Sequence, residues 1–216
     1  VTAYVISGYP GMRTVTPISA ATNKPGKAIS VGGGASAIAI TPNGKTAYVA
    51  NGVNGTGNTV TPISTVTNKP GRAIPVGKGP GPIAITPNGK TVYVVNGGSD
   101  TVTPISTATN KAGRAIPVGE GPDGIAITPN GKTAYVANAY SDNVTPIQTA
   151  TNRAGAAIGV GSFPDFIAIT PNGKTAYVAN ATYGGTGTVT PIRTATNKAG
   201  NAISVGAEPG PIAITP

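Results

Sequence analysis

Residues 83–119 read IAITPNGKTVYVVNGGSDTVTPISTATNKAGRAIPVG, and the chain contains five copies of this pattern. The central tyrosine marks each copy, at Tyr4, Tyr48, Tyr93, Tyr135 and Tyr177. A repeat near 42 to 45 residues is the first thing to settle, because it fixes the architecture before any single element is read. Within the copy, IAIT alternates apolar and small residues as a short strand does. PNGK follows: Pro presets φ, Asn tolerates the left-handed region and Gly supplies positive φ, which together predict a tight hairpin turn. TVYVVN is rich in β-branched and aromatic residues and predicts a second strand. After a variable loop, TVTPIST predicts a third strand with a bulge or an unpaired site at Pro104, which has no N–H to donate. TNKAG turns the chain again, and RAIPV predicts an outer strand whose Pro117 suits a free edge.

Four antiparallel strands per repeat predict the blades of an all-β fold, a five-bladed β-propeller formed by residues 1–216 as a single domain. No window shows helical periodicity, and Pro falls about every ten residues, which excludes a helical repeat. The chain enters at a second strand, Thr2 to Ser7, and residues 212–216 supply a lone first strand, IAITP. Pairing these segments predicts a 3+1 closure, in which the last strand completes the sheet of the first three. The inner isoleucines (Ile38, Ile40, Ile83, Ile85, Ile125, Ile127, Ile167, Ile169, Ile212, Ile214) are expected in the core, with the five repeat tyrosines between blades.

PNGKTAYVAN, TVTPISTATNK and AIPVGxGP together resemble the YVTN-type β-propeller repeat. The resemblance covers all five copies. It implies a propeller of the kind found in bacterial secreted and cell-surface proteins, archaeal surface-layer proteins and parts of some bacterial regulators. Such propellers commonly have about seven blades, so five is a departure. Some related propellers are lyases that use a histidine; this sequence has none, so that activity is not carried over.

Composition narrows the chemistry. There is no Cys and no His, hence no disulfide frame, no thiolate and no imidazole base or ligand. No apolar run is long enough to span a bilayer as a helix, and the start shows no export signal. The net charge of +9, from fifteen basic and six acidic residues, is unevenly placed. Lys45, Lys90, Lys132 and Lys174 lie in the PNGK turns, and Lys24, Lys69, Lys111, Arg153 and Lys198 in the TNK turns, with Lys27, Arg72 and Arg114 just beyond. All six acids (Asp100, Glu120, Asp123, Asp142, Asp165, Glu208) fall in the loops at the other end, with only Arg13 and Lys78 among them. Arg193 reads as mid-strand. The basic end suits solubilising turn residues, an anionic polymer or the acidic end of a second copy stacked head to tail. It has no aromatic residue to stack on bases, which argues against sequence-specific nucleic-acid binding.

The copies diverge where structure demands least, in the loops of the acidic end. Tyr140, Tyr183, Phe163 and Phe166 lie there and are expected to converge on the fourth and fifth blades, near Asp123 and Asp165, which hold equivalent positions before neighbouring inner strands. Aromatic rings beside carboxylates suit a glycan, a peptide or a cationic group. The plainer reading is that Phe166 fills a gap between blades and Phe163 caps it. No metal or cofactor is expected, since two aspartates do not establish a calcium site. Sequons at Asn54, Asn143 and Asn180 lie on the same loops. Catalysis is not expected: the only candidate acid–base pair is Asp123 with Asp165, on a shallow glycine-rich rim. The expectation is therefore a secreted or cell-surface binding or assembly module, with a sensor domain of a larger signalling protein as the alternative and an enzyme using the two aspartates as a remote one.

Overall fold

The computed structural model describes residues 1–7, 13–52, 57–181 and 185–216, and its regular structure is entirely β. Five sheets follow the five copies, and the fold class is the five-bladed β-propeller. The chain packs as two compact units. One holds Val1–Ser99 and Thr103–Ala115; the other holds Asp100–Val102 and Ile116–Pro216. The first contains blades 1 and 2 and most of blade 3, and the second contains blades 4 and 5.

Blade 4 shows the pattern. Its inner strand (Pro122–Ile127) pairs antiparallel with the second (Thr133–Asn138), which pairs with the third (Asn143–Gln148). The outer strand is broken in two, Arg153–Ala154 and Ile158–Gly159, and both pieces pair with the third. The break answers to the proline. Val144 pairs with Ile158 and Ile147 with Ala154, so the outer strand carries one residue more than its partner opposite Pro146. Gly155 N–H donates to the Pro146 carbonyl at 2.7 Å inside this bulge.

The turns assign the asparagines differently from the expectation. In TPNGK the left-handed residue is the glycine (Gly44, Gly131 and Gly173, all with φ 70°). Asn43 works through its side chain instead, accepting from Thr41 Oγ1 at 2.7 Å and Lys45 N–H at 3.0 Å. The asparagines of TNK take the left-handed conformation, Asn68 at φ 54° and Asn197 at φ 53°. Their side chains explain why glycine does not stand there. Within unit 1, Tyr4 and Tyr48 donate to Asn68 and Asn110 Oδ1, each at 2.7 Å; within unit 2, Tyr135 donates to Asn197 Oδ1 at 2.6 Å. Each bond ties one blade to the next.

The core sits on the second and third strands rather than on the inner isoleucines. Tyr48, Val49, Val60, Ile63, Tyr135, Val144, Ile147 and Ile192 are fully buried. Ile38, Ile83, Ile125 and Ile167 are half-buried and Ile40 is exposed, because an inner strand has a ladder partner on one side only and its other edge is free. The tyrosine expectation holds for Tyr48, Tyr93 and Tyr135, whereas Tyr4 and Tyr177 are partly exposed.

Blade 1 is a three-stranded sheet (Thr2–Ser7, Thr14–Ser19, Ile29–Ser30), and residues 209–216 form no strand.

Candidate functional site

Antiparallel pairing sorts the connections of each blade to two ends, and hydrogen bonds tie those at each end together. Thr65, Thr149 and Thr194 N–H donate to the carbonyls of Lys45, Lys132 and Lys174, so the PNGK and TNK turns of a blade are neighbours. Their cations (Lys24, Lys45, Lys69, Lys90, Lys111, Lys132, Arg153, Lys174, Lys198) are all exposed. Arg193 joins them: it pairs with Thr175 and Lys198 at the turn end of its strand, not in the middle. In unit 2 the loop end therefore carries all six acids and no cation among the described residues, while its five cations sit at the turn end.

Two of the acids are structural. Asp100 Oδ1 accepts from Gly121 N–H at 2.9 Å, and Asp142 Oδ1 accepts from Phe163 N–H at 2.8 Å. The serine before Asp142 holds the preceding inter-blade loop, accepting from Glu120 N–H at 2.6 Å. The Ser-Asp dipeptide thus clamps one loop on each side.

Asp123 and Asp165 are the remaining aspartates, and each is the residue that bulges from an inner strand. Pro122 pairs with Asn138 and Gly124 with Ala137; Pro164 pairs with Asn180 and Phe166 with Ala179. The two carboxyls meet. Burial pushes the Asp165 carboxyl from 3.8 up to about 6, helped by the Asp123 charge and a hydrogen bond between the two side chains. Gly124 permits the approach: a Cβ there would lie 2.1 Å from the Asp165 carbonyl oxygen.

Two of the expected aromatics join them. Tyr140 lies over the Gly121 backbone, where an added Cβ would sit 2.5 Å from the tyrosine Cδ2, and it is 72% exposed. Its ring meets that of Phe163 at a centroid distance of 5.7 Å, tilted by 56°. Phe163 and Asp165 are two residues apart on one inter-blade loop, as are Gly121 and Asp123 on the other, so each pair of Cα atoms lies within about 7 Å. Phe166 is half-buried on the inner strand (Pro164–Ile169). Tyr183 and the sequon Asn54 lie outside the described residues. The other sequon asparagines are occupied: Asn180 is buried, and Asn143 Nδ2 donates to the Ser141 carbonyl at 2.9 Å.

One feature of the site was missed in the sequence, although the loops carry it. The inter-blade loops GGGASA, GKGPGP and GEGPDG have glycine in the third column, where GSFPDF has Phe163 and GAEPGP has Glu208, the latter at φ 48°. Gly34, Gly79 and Gly121 have positive φ, and Phe163 adopts the same conformation at φ 55°. A bulky side chain there costs roughly 1–2 kcal/mol, which marks the position as one where strain is tolerated for another end. A second omission is structural. Asn51, Asn138 and Asn180, which end the second strands, donate from Nδ2 to Thr61, Thr145 and Thr190 Oγ1 at 2.9 to 3.0 Å, which is why AN and TVT recur together.

The fold and its repeating latches make the chain a β-propeller repeat protein. A family model described as YNCE-like beta-propeller matches residues 79–158. Among solved structures, the chain is similar to Kuenenia stuttgartiensis hydrazine synthase, with 29% identity and a TM-score of 0.73, over 78% of this chain and 48% of that one. It is also similar to a functionally unknown protein from Desulfotomaculum acetoxidans DSM 771, with 24% identity and a TM-score of 0.78, over 95% of this chain and 66% of that one. The chain thus spans less than two thirds of either structure. No curated protein matches it.

Among the described residues, no helix is long and apolar enough to cross a membrane, and no group of three or more His, Cys, Asp or Glu could hold a metal ion.

Proposed function

We propose that this protein is a non-catalytic binding module that takes a cationic ligand, in the form of a basic peptide segment, at the loop end of blades 4 and 5. The observation that carries the reading is the hydrogen-bonded pair Asp123 and Asp165, on the same two inter-blade loops as Phe163 and the Gly121 backbone that Tyr140 covers. Two carboxyls forced together disfavour the second negative charge, and a ligand cation would relieve that repulsion. The exposed face of Tyr140 adds a cation–π surface for the same group. Six acids with no cation at this end of unit 2 would steer such a ligand there despite the net positive charge of the chain.

Against catalysis, hydrogen-bonded carboxyls stand closer than the roughly 5–9.5 Å of glycosidase pairs. A pair that shares a proton can serve acid–base chemistry, but Asp123 is exposed, and nothing among the described residues shuts water out. The setting proposed is the cell surface or the extracellular space, which the low charge and the Thr-, Asn- and Gly-rich composition support.

The test is calorimetric titration with a short oligoarginine peptide, with a neutral oligosaccharide as the counter-probe. Binding of the peptide that is lost in Asp165→Asn and weakened in Phe163→Gly supports the reading. Binding of the oligosaccharide alone would replace it with a glycan site on the same residues.

A further inference from the structure

A cleft of about 610 Å³ lies between the outer edges of blades 2 and 3, wholly within unit 1. One wall is the outer strand of blade 2, broken into Lys69–Pro70 and Ile74–Pro75, which both pair with the third strand (Thr59–Ser64). The break shapes this wall. Ile63 pairs with Pro70 and Val60 with Ile74, so the outer strand carries a surplus residue that takes Arg72 and Ala73 off the ladder. Gly71 N–H holds the bulge by donating to the Pro62 carbonyl at 2.7 Å. Pro62 and Ile74 line the cleft and are themselves buried, which makes its interior apolar. The other wall is the turn of blade 3 from Thr109 to Ala112, fixed to blade 2 by the bond from Tyr48 to Asn110 Oδ1.

Each wall brings one cation, Arg72 from blade 2 and Lys111 from blade 3, and both are exposed. None of the six acids lies in unit 1, so neither cation has a carboxylate partner within that unit. Two like charges beside an apolar interior suit an anion that carries an apolar body. A guanidinium presents paired donors in the geometry of a carboxylate, and an ammonium adds a point charge. The volume falls within the range of about 300–1,000 Å³ usual for small-molecule sites. A peptide strand is disfavoured, because it would need backbone N–H groups along the outer edge, where Pro70 and Pro75 have none. The corresponding junction of blades 4 and 5 supplies a contrast. Ala156 stands there in place of Arg72 and Gly159 in place of Pro75, yet Tyr135, Ile158 and Val178 are buried together all the same. Packing of a junction therefore does not require the arginine or the proline.

We infer that this cleft is a binding site for a small amphipathic carboxylate, with the apolar body of the ligand against Pro62, Ile74 and Pro75 and its carboxylate between Arg72 and Lys111. The site prefers the opposite charge to the aspartate pair of unit 2 and does not depend on it.

The test is calorimetric titration of the 216-residue chain with phenylpropionate, with phenylpropanol and acetate as probes that keep only the apolar body or only the charge. Phenylpropionate is expected to bind with a Kd of about 0.1–1 mM, and both other probes at least about tenfold more weakly. Amide resonances of Ala73, Ile74 and Ala112 should shift as phenylpropionate is added. Arg72→Ala copies the residue that blade 4 already tolerates, so the fold is kept, and it should weaken binding about tenfold. Lys90→Gln removes a cation of unit 1 that does not line the cleft and should leave the affinity unchanged. Absence of saturable binding would overturn the inference, and so would phenylpropanol binding as tightly as the acid. Equal affinities in Arg72→Ala and Lys90→Gln, or shifts confined to amides away from the cleft, would do the same.

Discussion

Replacing Asp165 with Asn should stabilise the protein, and the size of the gain should follow pH. The Asp165 carboxyl titrates at about 6 rather than 3.8 because it is partly buried and faces the Asp123 charge. For a fully buried group that displacement would be worth about 3 kcal/mol. Asp165 is only half-buried, and solvent screening reduces the figure to about 1 kcal/mol. Because the folded protein holds the proton more tightly than the unfolded chain, the wild type is favoured below about pH 3.8 and loses that contribution as pH rises through about 6. Asn keeps the hydrogen-bonding shape without the charge. Asp165→Asn should therefore melt about 2–4 °C above wild type at neutral pH, with the gap closing as the pH falls through the same window. Thermal unfolding followed by circular dichroism across that range measures it. A variant less stable than wild type at neutral pH, or a gap that does not change with pH, would refute the account of the carboxyl pair.

Phe163→Gly should raise stability by about 1 kcal/mol, since it removes a bulky side chain from a left-handed conformation that Gly34, Gly79 and Gly121 adopt without strain. Urea denaturation checks the gain, and a loss would mean that the ring packs more than it strains. Tyr135→Phe removes the donor to Asn197 and leaves the buried ring in place, so it should cost about 1 kcal/mol. Ile158→Ala empties a packed junction between blades 4 and 5 and should cost about 2–5 kcal/mol, whereas Ile203→Ala, at an exposed position, should cost well under half of that. The same denaturation curves separate these variants.

The strands and turns were legible because they rest on local rules. Gly44 and its counterparts hold the left-handed turn, and Pro104 and Pro146 predicted the interruption that the outer strands show. The pairing of Asp123 with Asp165 was legible as well, since the repeat gives them one position in neighbouring blades. Features that depend on what lies across a junction were not. The inner isoleucines share the apolar pattern of core residues, but only the sheet order shows that their strand has one bonded neighbour. Arg193 reads as mid-strand because the third strand is expected to continue to Thr194, whereas it ends at Arg193. Phe163 is found by aligning the five inter-blade loops, where it and Glu208 depart from a column of glycines.

The binding reading is tested most directly by counting the protons released when oligoarginine binds near pH 6, by calorimetry in buffers of differing ionisation enthalpy. A cation seated on the two aspartates drives the shared proton off, so a fraction of a proton should be released per ligand, with none in Asp165→Asn and none well above that pH. Binding with no proton release near pH 6, or with equal release from the variant, would place the ligand elsewhere on the molecule and contradict the account.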